Sequence, residues 1–208
     1  MRPHRGMTLP ELVIALAITS IVGAGVVAMT DAVTRALDDG RSERERTIAS
    51  AVAGTRLSSL VAPSNCLLEM TAQQTVLWRG DTLRDGNVQA TELGWLIFDR
   101  DGGRLLLEWV EFPDSWSARD REDADQTCSP DENWELVRTR YRDSGHLMNK
   151  VLLDGLEEVE PAMSTAEQNA PLEVRRLAWR LSWKGVKGID STTVVAGGIH
   201  HHQVPEGS

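Results

Sequence analysis

The stretch Gly6-Met7-Thr8-Leu9-Pro10-Glu11 opens a long uncharged segment that covers residues 12–30. A short basic head, residues 1–5, precedes it, and no later segment of the chain is as long and as apolar. At about 1.5 Å of rise per residue, a helix of this length spans the roughly 30 Å hydrocarbon core of a bilayer. The sequence therefore predicts a transmembrane helix over residues 7–30.

Glu11 is the unusual residue of this segment. A carboxylate within a membrane helix costs about 2.5–3.5 kcal/mol at the bilayer centre and less near an interface. A compensating positive charge is therefore expected beside it. An isolated helix of this sequence offers no such group at the same depth.

The order of these residues resembles the type IV pilin-like family, the prepilins and pseudopilins. In that family the leader ends in Gly, and the mature helix opens with a hydrophobic residue, Thr-Leu, a variable residue and Glu. The resemblance implies a leader over residues 1–6, cleavage between Gly6 and Met7 by a prepilin peptidase, and methylation of the new amino terminus of Met7. It also implies that Glu11 pairs with the amino terminus of a neighbouring subunit, which would neutralise both charges in a medium of low dielectric constant.

Two departures from the family pattern are visible, and two plainer interpretations remain. Met7 replaces the more usual Phe, whereas Pro10 is acceptable in a first helical turn, where its missing N–H has no partner. A secretory signal peptide would explain the basic head, but the apolar run continues past its expected cleavage site. A plain membrane anchor explains the length of the segment but neither Gly6 nor Glu11.

Composition limits the function of the remaining chain. A length of 208 residues allows one membrane helix and one soluble domain of ordinary size. The formal net charge of −9 argues against a nucleic-acid partner, which needs a basic surface. The two cysteines, Cys66 and Cys128, could form a disulfide in an oxidising periplasm or could be two free buried thiols.

After the membrane segment the pattern predicts an α+β fold, in which a long N-terminal helix packs on an antiparallel β-sheet domain. Residues 31–62 continue the helix as an amphipathic segment that Pro63 ends. Residues 63–199 form the β-rich domain, in which 99–103 is a hairpin loop, 115–133 is an acidic loop, and 200–208 is a C-terminal tail. Strands are predicted over residues 66–70, 75–79, 92–98, 104–112, 134–142, 151–159, 177–184 and 192–199.

Other residues could carry chemistry, but each has a simpler interpretation. The histidines at 200–202 could bind a transition metal, although a disordered tail is the commoner arrangement. Calcium could bind the acidic loops, although their spacing matches no known calcium loop. The carboxylates concerned are Asp99 and Asp101, and the group Asp120, Glu122, Asp123 and Asp125. We therefore expect no resident cofactor or metal.

The C-terminal half carries a narrower resemblance. The order Tyr141-Arg142, then residues 151–159, then Pro171-Leu172-Glu173-Val174 before the alternating strand, is similar to the J-type minor pseudopilins of type II secretion and to W-type minor pilins. This resemblance implies a structural subunit of a periplasmic pilus-like fibre or of its tip. Its partners would be prepilin peptidase, other pilin-like subunits, the inner-membrane assembly platform and membrane lipid.

The implied location is the bacterial inner membrane, crossed once, with the soluble domain in the periplasm. The alternatives are a minor type IV pilin that takes part in pilus assembly and, less in keeping with the sequence, a membrane-anchored periplasmic enzyme. An enzyme would need a catalytic constellation, and the chain contains no Gly-x-Ser-x-Gly, His-Glu-x-x-His or phosphate-binding glycine motif. The sequence therefore predicts a protein that is not an enzyme.

Overall fold

A computed structural model of the chain describes residues 9–183 and 192–206. The chain divides into two compact units, Met1–Thr47 and Ile48–Ser208, and each is described by itself. Helices and antiparallel sheets together give the α+β class that the sequence predicts.

Four α-helices and ten strands make up the described chain. The helices are α1 (Leu9–Val61), α2 (Ala118–Ala124), α3 (Trp134–Asp143) and α4 (Thr165–Asn169). The strands are β1 (Cys66–Met70), β2 (Gln74–Trp78), β3 (Val88–Gln89), β4 (Leu93–Asp99), β5 (Arg104–Val110), β6 (Thr127–Cys128), β7 (Leu147–Leu153), β8 (Leu156–Pro161), β9 (Arg176–Trp183) and β10 (Thr192–Gly198). Short 3₁₀ helices lie at Ala90–Glu92 and Pro171–Glu173.

In the first unit, α1 presents apolar side chains that are exposed. Leu12, Ile14 and Val27 are each more than half exposed. The hydroxyls of Ser20 and Thr30 donate to the carbonyls of Leu16 and Val26, at 2.8 and 2.9 Å. These bonds within the helix satisfy polar groups that an apolar environment would otherwise leave unpaired. One straight helix through both units stays a prediction.

The strands of the second unit form three antiparallel sheets. The largest has the order β1-β2-β4-β5-β7, the second has the order β10-β9-β8, and β3 pairs with β6. The predicted hairpin is confirmed, because Trp95 to Asp99 of β4 pair with Glu108 to Arg104 of β5. The glycine-containing loop between these strands is closed by Gly103, whose φ is +65°.

Both faces of the five-stranded sheet are buried over β1, β2 and the first half of β4, whereas most of β7 is exposed. Successive side chains of a strand point to opposite faces. Accordingly, Leu67 and Leu77 belong to one apolar cluster, while Leu68 and Trp78 belong to another. The first cluster includes the three-stranded sheet and the second includes α3. This two-sided burial explains why β1, β2 and β4 are apolar over most of their length.

The last turns of α1 provide part of the first cluster. Ala53, Leu57 and Val61 are fully buried and recur every four residues, which places them on one face of the helix. A Cβ atom at Gly197 of β10 would lie 3.1 Å from the Cβ of Val61, so a glycine permits the close approach of strand and helix. The apolar face predicted for residues 31–62 is confirmed at Leu57 and Val61 but not at Ile48, which is 63% exposed.

Three segments differ from their predicted structure. Residues 134–142, predicted as a strand, form helix α3, because the buried residues Trp134, Val137, Arg138 and Tyr141 follow helical spacing. Residues 115–133, predicted as a loop, contain α2 and β6. The strand predicted over 151–159 is divided between β7 and β8 by a turn at Gly155, whose φ of +75° favours glycine.

The C-terminal segment is packed against the second unit instead of forming a disordered tail. Backbone N–H groups of His200, Gln203 and Glu206 donate to the carbonyls of Ala62, Asn65 and Gly86 at 2.8–3.1 Å. These bonds hold residues 200–206 along the segment that follows α1 and along the loop before β3.

Candidate functional site

The predicted processing site lies outside the described residues. Gly6 and Met7 belong to residues 1–8, and the side chain of Glu11 is likewise outside the description. Cleavage after Gly6, methylation of Met7 and charge pairing by Glu11 therefore stay predictions. Within the part of the chain that is described, we find no helix with the combination of length and apolarity that crossing a membrane requires.

A buried carboxylate organises the loop that follows β2. Glu92 is 4% exposed and accepts hydrogen bonds from the indole N–H of Trp78 at 2.9 Å and from the backbone N–H of Gln89 at 3.2 Å. The backbone N–H of Thr82 donates to its other oxygen. Three N–H donors stabilise the carboxylate, and they fix residues 79–92 against the sheet.

A second buried network joins α3 to β5. Arg138 donates from Nε to Glu108 Oε2 at 2.6 Å and from Nη1 to Glu135 Oε2 at 3.0 Å. Arg142 adds a longer contact of 3.9 Å to Glu108. Burial opposes the charge of Arg138, but its bonds to the two carboxylates raise the pKa of its guanidinium. The network places Arg138, the buried charged residue of α3, over the sheet.

A cleft opens beside this network. It has a volume of about 730 Å³ and lies between the β1–β2 turn, the β4–β5 loop and α3. Glu69 lines it and accepts a hydrogen bond from the amide of Gln74 at 3.1 Å. Burial raises the pKa of the Glu69 carboxyl. The hydrogen bond from Gln74 lowers this pKa, and the nearby charge of Glu135 raises it.

Cys66 and Cys128 lie in the same apolar cluster as two free thiols. Burial raises the pKa of each thiol to about 12, and nearby carboxylates, Glu132 first, contribute at Cys128. The sequence allowed either a disulfide or two free buried thiols, and the structure contains two free thiols. Their burial and high pKa make them poor nucleophiles.

The residues considered as metal ligands have other partners. Asp99 accepts from the backbone of Gly102 and from Arg104, at 3.0 and 2.8 Å. Asp120 accepts from the hydroxyl of Ser117, which caps α2. The ring of His202 contacts the carbonyl of Leu172 at 2.8 Å. Over the described residues, no three side chains among His, Cys, Asp and Glu come together as a metal site.

Comparison with known proteins identifies one segment. The chain carries a prokaryotic N-terminal methylation motif. The family model with that description matches residues 1–27, which include Gly6, Met7 and Glu11. This match supports the predicted resemblance to the type IV pilin-like family. No curated protein and no solved structure matches the chain.

The N-terminal motif is recognisable in the sequence, whereas the polar networks of the second unit are not. Glu92 begins the predicted strand 92–98 and Glu108 lies inside the predicted strand 104–112, and a carboxylate in either place is usually exposed. A signal was present for Arg138, since it shares the helical spacing of Trp134, Val137 and Tyr141. No local signal in the sequence pairs Glu69 with α3, because that proximity depends on the tertiary structure.

Proposed function

We propose that this chain is a minor pseudopilin, a structural subunit of a periplasmic pilus-like fibre or of its tip in type II secretion. The observation that carries the proposal is the methylation motif over residues 1–27. The α+β second unit, in which the last turns of a helix are buried against antiparallel sheets, supports it. The resemblance of the C-terminal half to J-type minor pseudopilins supports the subtype.

In this proposal residues 7–30 anchor the mature chain in the bacterial inner membrane and the second unit lies in the periplasm. The absence of charged residues from 12–30 supports this arrangement. So do the helix-internal hydrogen bonds of Ser20 and Thr30, since hydroxyl donors are costly in hydrocarbon unless paired. Glu11 of one subunit then neutralises the methylated amino terminus of the next, which favours lateral assembly.

The proposal assigns the chain a structural role instead of a catalytic one. Its buried charged groups have partners that stabilise the fold. Glu92 holds the loop before β4, and the Glu108–Arg138 pair holds α3. The two cysteines are protonated and buried, which does not suit a nucleophile.

A minor type IV pilin is the second candidate, because the same motif serves both machines. The two differ in their partners, which in either case include prepilin peptidase, other pilin-like subunits and an inner-membrane assembly platform. Affinity purification of the cross-linked protein separates them. Secretion-system subunits in the purified material support the pseudopilin, and pilus subunits support the alternative.

Substitution of Glu11 tests the assembly step. We expect Glu11→Ala to insert into the membrane and to be processed, but to be depleted from sheared fibres, because the amino terminus of its neighbour loses its counter-charge. Glu157→Ala removes an exposed carboxylate of β8 and is the matched control. Normal incorporation of Glu11→Ala would contradict charge pairing.

A further inference from the structure

A pocket separate from the cleft at α3 lies beside the end of α1. It has a volume of about 360 Å³. Its lining comes from the last turns of α1 and from the segment between β2 and β4, and all of it belongs to the second unit. We call it the α1 pocket, and its lining includes Ser59, Leu60, Arg79, Gly80, Thr82 and Glu92.

Arg79 gives the α1 pocket its positive charge. Its backbone N–H donates to the carbonyl of Glu92 at 2.7 Å, whereas its guanidinium has no hydrogen bond or ion pair with any residue that the structure describes. The side chain is exposed in part, so a ligand can reach it. Partial burial nevertheless lowers the pKa of the guanidinium, and none of the described carboxylates is close enough to oppose this effect. An anion supplied from outside would therefore be favourable.

A glycine in the neighbouring strand makes room for the side chain of Arg79. A Cβ atom at Gly94 of β4 would lie 2.6 Å from Cδ and 3.2 Å from Cγ of Arg79, and the first distance is shorter than carbon atoms pack. Glycine inside a strand often marks a place where another group approaches closely. The stem of the arginine thus lies across β4 at the position that has no side chain, which a freely solvated arginine would not require.

The other polar groups of the α1 pocket favour a ligand with a single negative charge. The two oxygens of Glu92 already accept three N–H groups, and Arg79 is not among their donors. Across the part of the chain that the structure describes, neither the N–H of Gly80 nor the hydroxyl of Thr82 has a hydrogen-bond partner, so both can donate to a ligand. A ligand with a second negative charge would be repelled by Glu92.

We propose that the α1 pocket binds the carboxylate side chain, aspartate or glutamate, of a partner protein. A guanidinium presents two parallel N–H groups that match the two oxygens of a carboxylate. One guanidinium neutralises one carboxylate, whereas a phosphate would bring additional charge beside Glu92. A volume of about 360 Å³ suits one inserted side chain. The site belongs to the second unit and does not depend on the role of the N-terminal segment.

The test uses the full-length protein in detergent micelles, labelled with ¹⁵N, and two capped tripeptides, Gly-Glu-Gly and its neutral counterpart Gly-Gln-Gly. We expect the glutamate peptide to cause saturable shifts of the backbone signals of Gly80 and Thr82 and of the Nε–H signal of Arg79. The glutamine peptide should cause none. Acetate and inorganic phosphate at the same concentration should cause smaller shifts, since neither combines the single charge with the contacts of a peptide side chain.

Variants assign the interaction to Arg79. Arg79→Gln removes the charge and keeps most of the stem, and no described residue loses a hydrogen bond to the guanidinium, so the fold is preserved. We expect this variant to raise the Kd for the glutamate peptide about tenfold, as loss of a hydrogen bond between charged groups predicts. Arg84→Gln is the matched control, because Arg84 is an exposed arginine of the same segment outside the lining, and it should leave the Kd unchanged.

Four results would overturn the proposal. They are equal binding of the two peptides, no saturable binding of the glutamate peptide, binding of acetate or phosphate at least as tight as that of the peptide, and an unchanged Kd in Arg79→Gln with native spectra. None of these results bears on leader cleavage or fibre assembly.

Discussion

Single charged residues fix how the elements of the second unit meet. Glu108 of β5 and Arg138 of α3 are both about nine-tenths buried and bonded at 2.6 Å. Each charged group provides the hydrogen-bond partner and counter-charge of the other at a position that is largely shielded from water. The pair thus determines the position of α3 over the sheet, while the surrounding aromatic residues provide the apolar contact.

Removal of one partner from this pair should be strongly destabilising. We expect Arg138→Met to lower the free energy of unfolding by about 3–5 kcal/mol, because Glu108 is left buried without a counter-charge. The double variant Glu108→Leu/Arg138→Met should recover most of that loss. Urea unfolding measures both, and Arg119→Met, at an exposed arginine of α2, is the control. Equal destabilisation by the single and the double variants would contradict this account of the pair.

The thiols allow a second test at this scale. With pKa values of about 12, Cys66 and Cys128 should resist alkylation at pH 8 in the folded protein, and both should react after denaturation without reductant. The folded thiols keep their protons at a pH where unfolded thiols, with an ordinary value of 9.0, lose them. The thiol contribution to the free energy of unfolding should therefore fall as the pH rises from about 9 to 12. Failure of both to react after denaturation would indicate a disulfide.

At the scale of elements, periodicity predicted the strands well where apolar residues mark the sheet. The prediction for 66–70 coincides with β1, and that for 177–184 agrees with β9 over residues 177–183, while Lys184 lies outside the described residues. Such segments are recognisable because their alternation is local and strong. The order of strands within the sheets was not predictable, since it depends on contacts between distant segments.

Helix α3 shows why local patterns fail. The sequence analysis predicts a strand over residues 134–142, although the buried residues Trp134, Val137, Arg138 and Tyr141 follow helical spacing. The residue that caps the start of α3 was not recognised in the sequence. Asn133 accepts a hydrogen bond from the N–H of Leu136 at 3.1 Å, which is the arrangement of a helix N-cap.

Loss of this cap should weaken the helix measurably. We expect Asn133→Ala to lower the free energy of unfolding by about 1 kcal/mol, because the N–H of Leu136 loses its acceptor. Thermal unfolding followed by circular dichroism measures the change, with Asn149→Ala at an exposed position of β7 as the control. A cap variant as stable as its control would show that the hydrogen bond does not contribute.

At the scale of the whole molecule, the N-terminal motif is contiguous in the sequence, whereas the cleft and the packing of the C-terminal segment join distant parts of the chain. The methylation motif is a contiguous run of residues, so sequence alone located Gly6, Met7 and Glu11. The cleft assembles β1, β4 and α3 from separate parts of the chain, so sequence alone did not reveal it. The C-terminal segment also required tertiary contacts, because its hydrogen bonds join residues 200–206 to the segment after α1 and to the loop before β3.

The central claim is that the chain is processed and assembled as a pilin-like subunit. Mass spectrometry of the protein isolated from membranes of cells that contain prepilin peptidase tests it most directly. We predict that the mature chain begins at Met7 and carries a methyl group on its amino nitrogen. An intact chain that begins at Met1 in such cells would contradict the account.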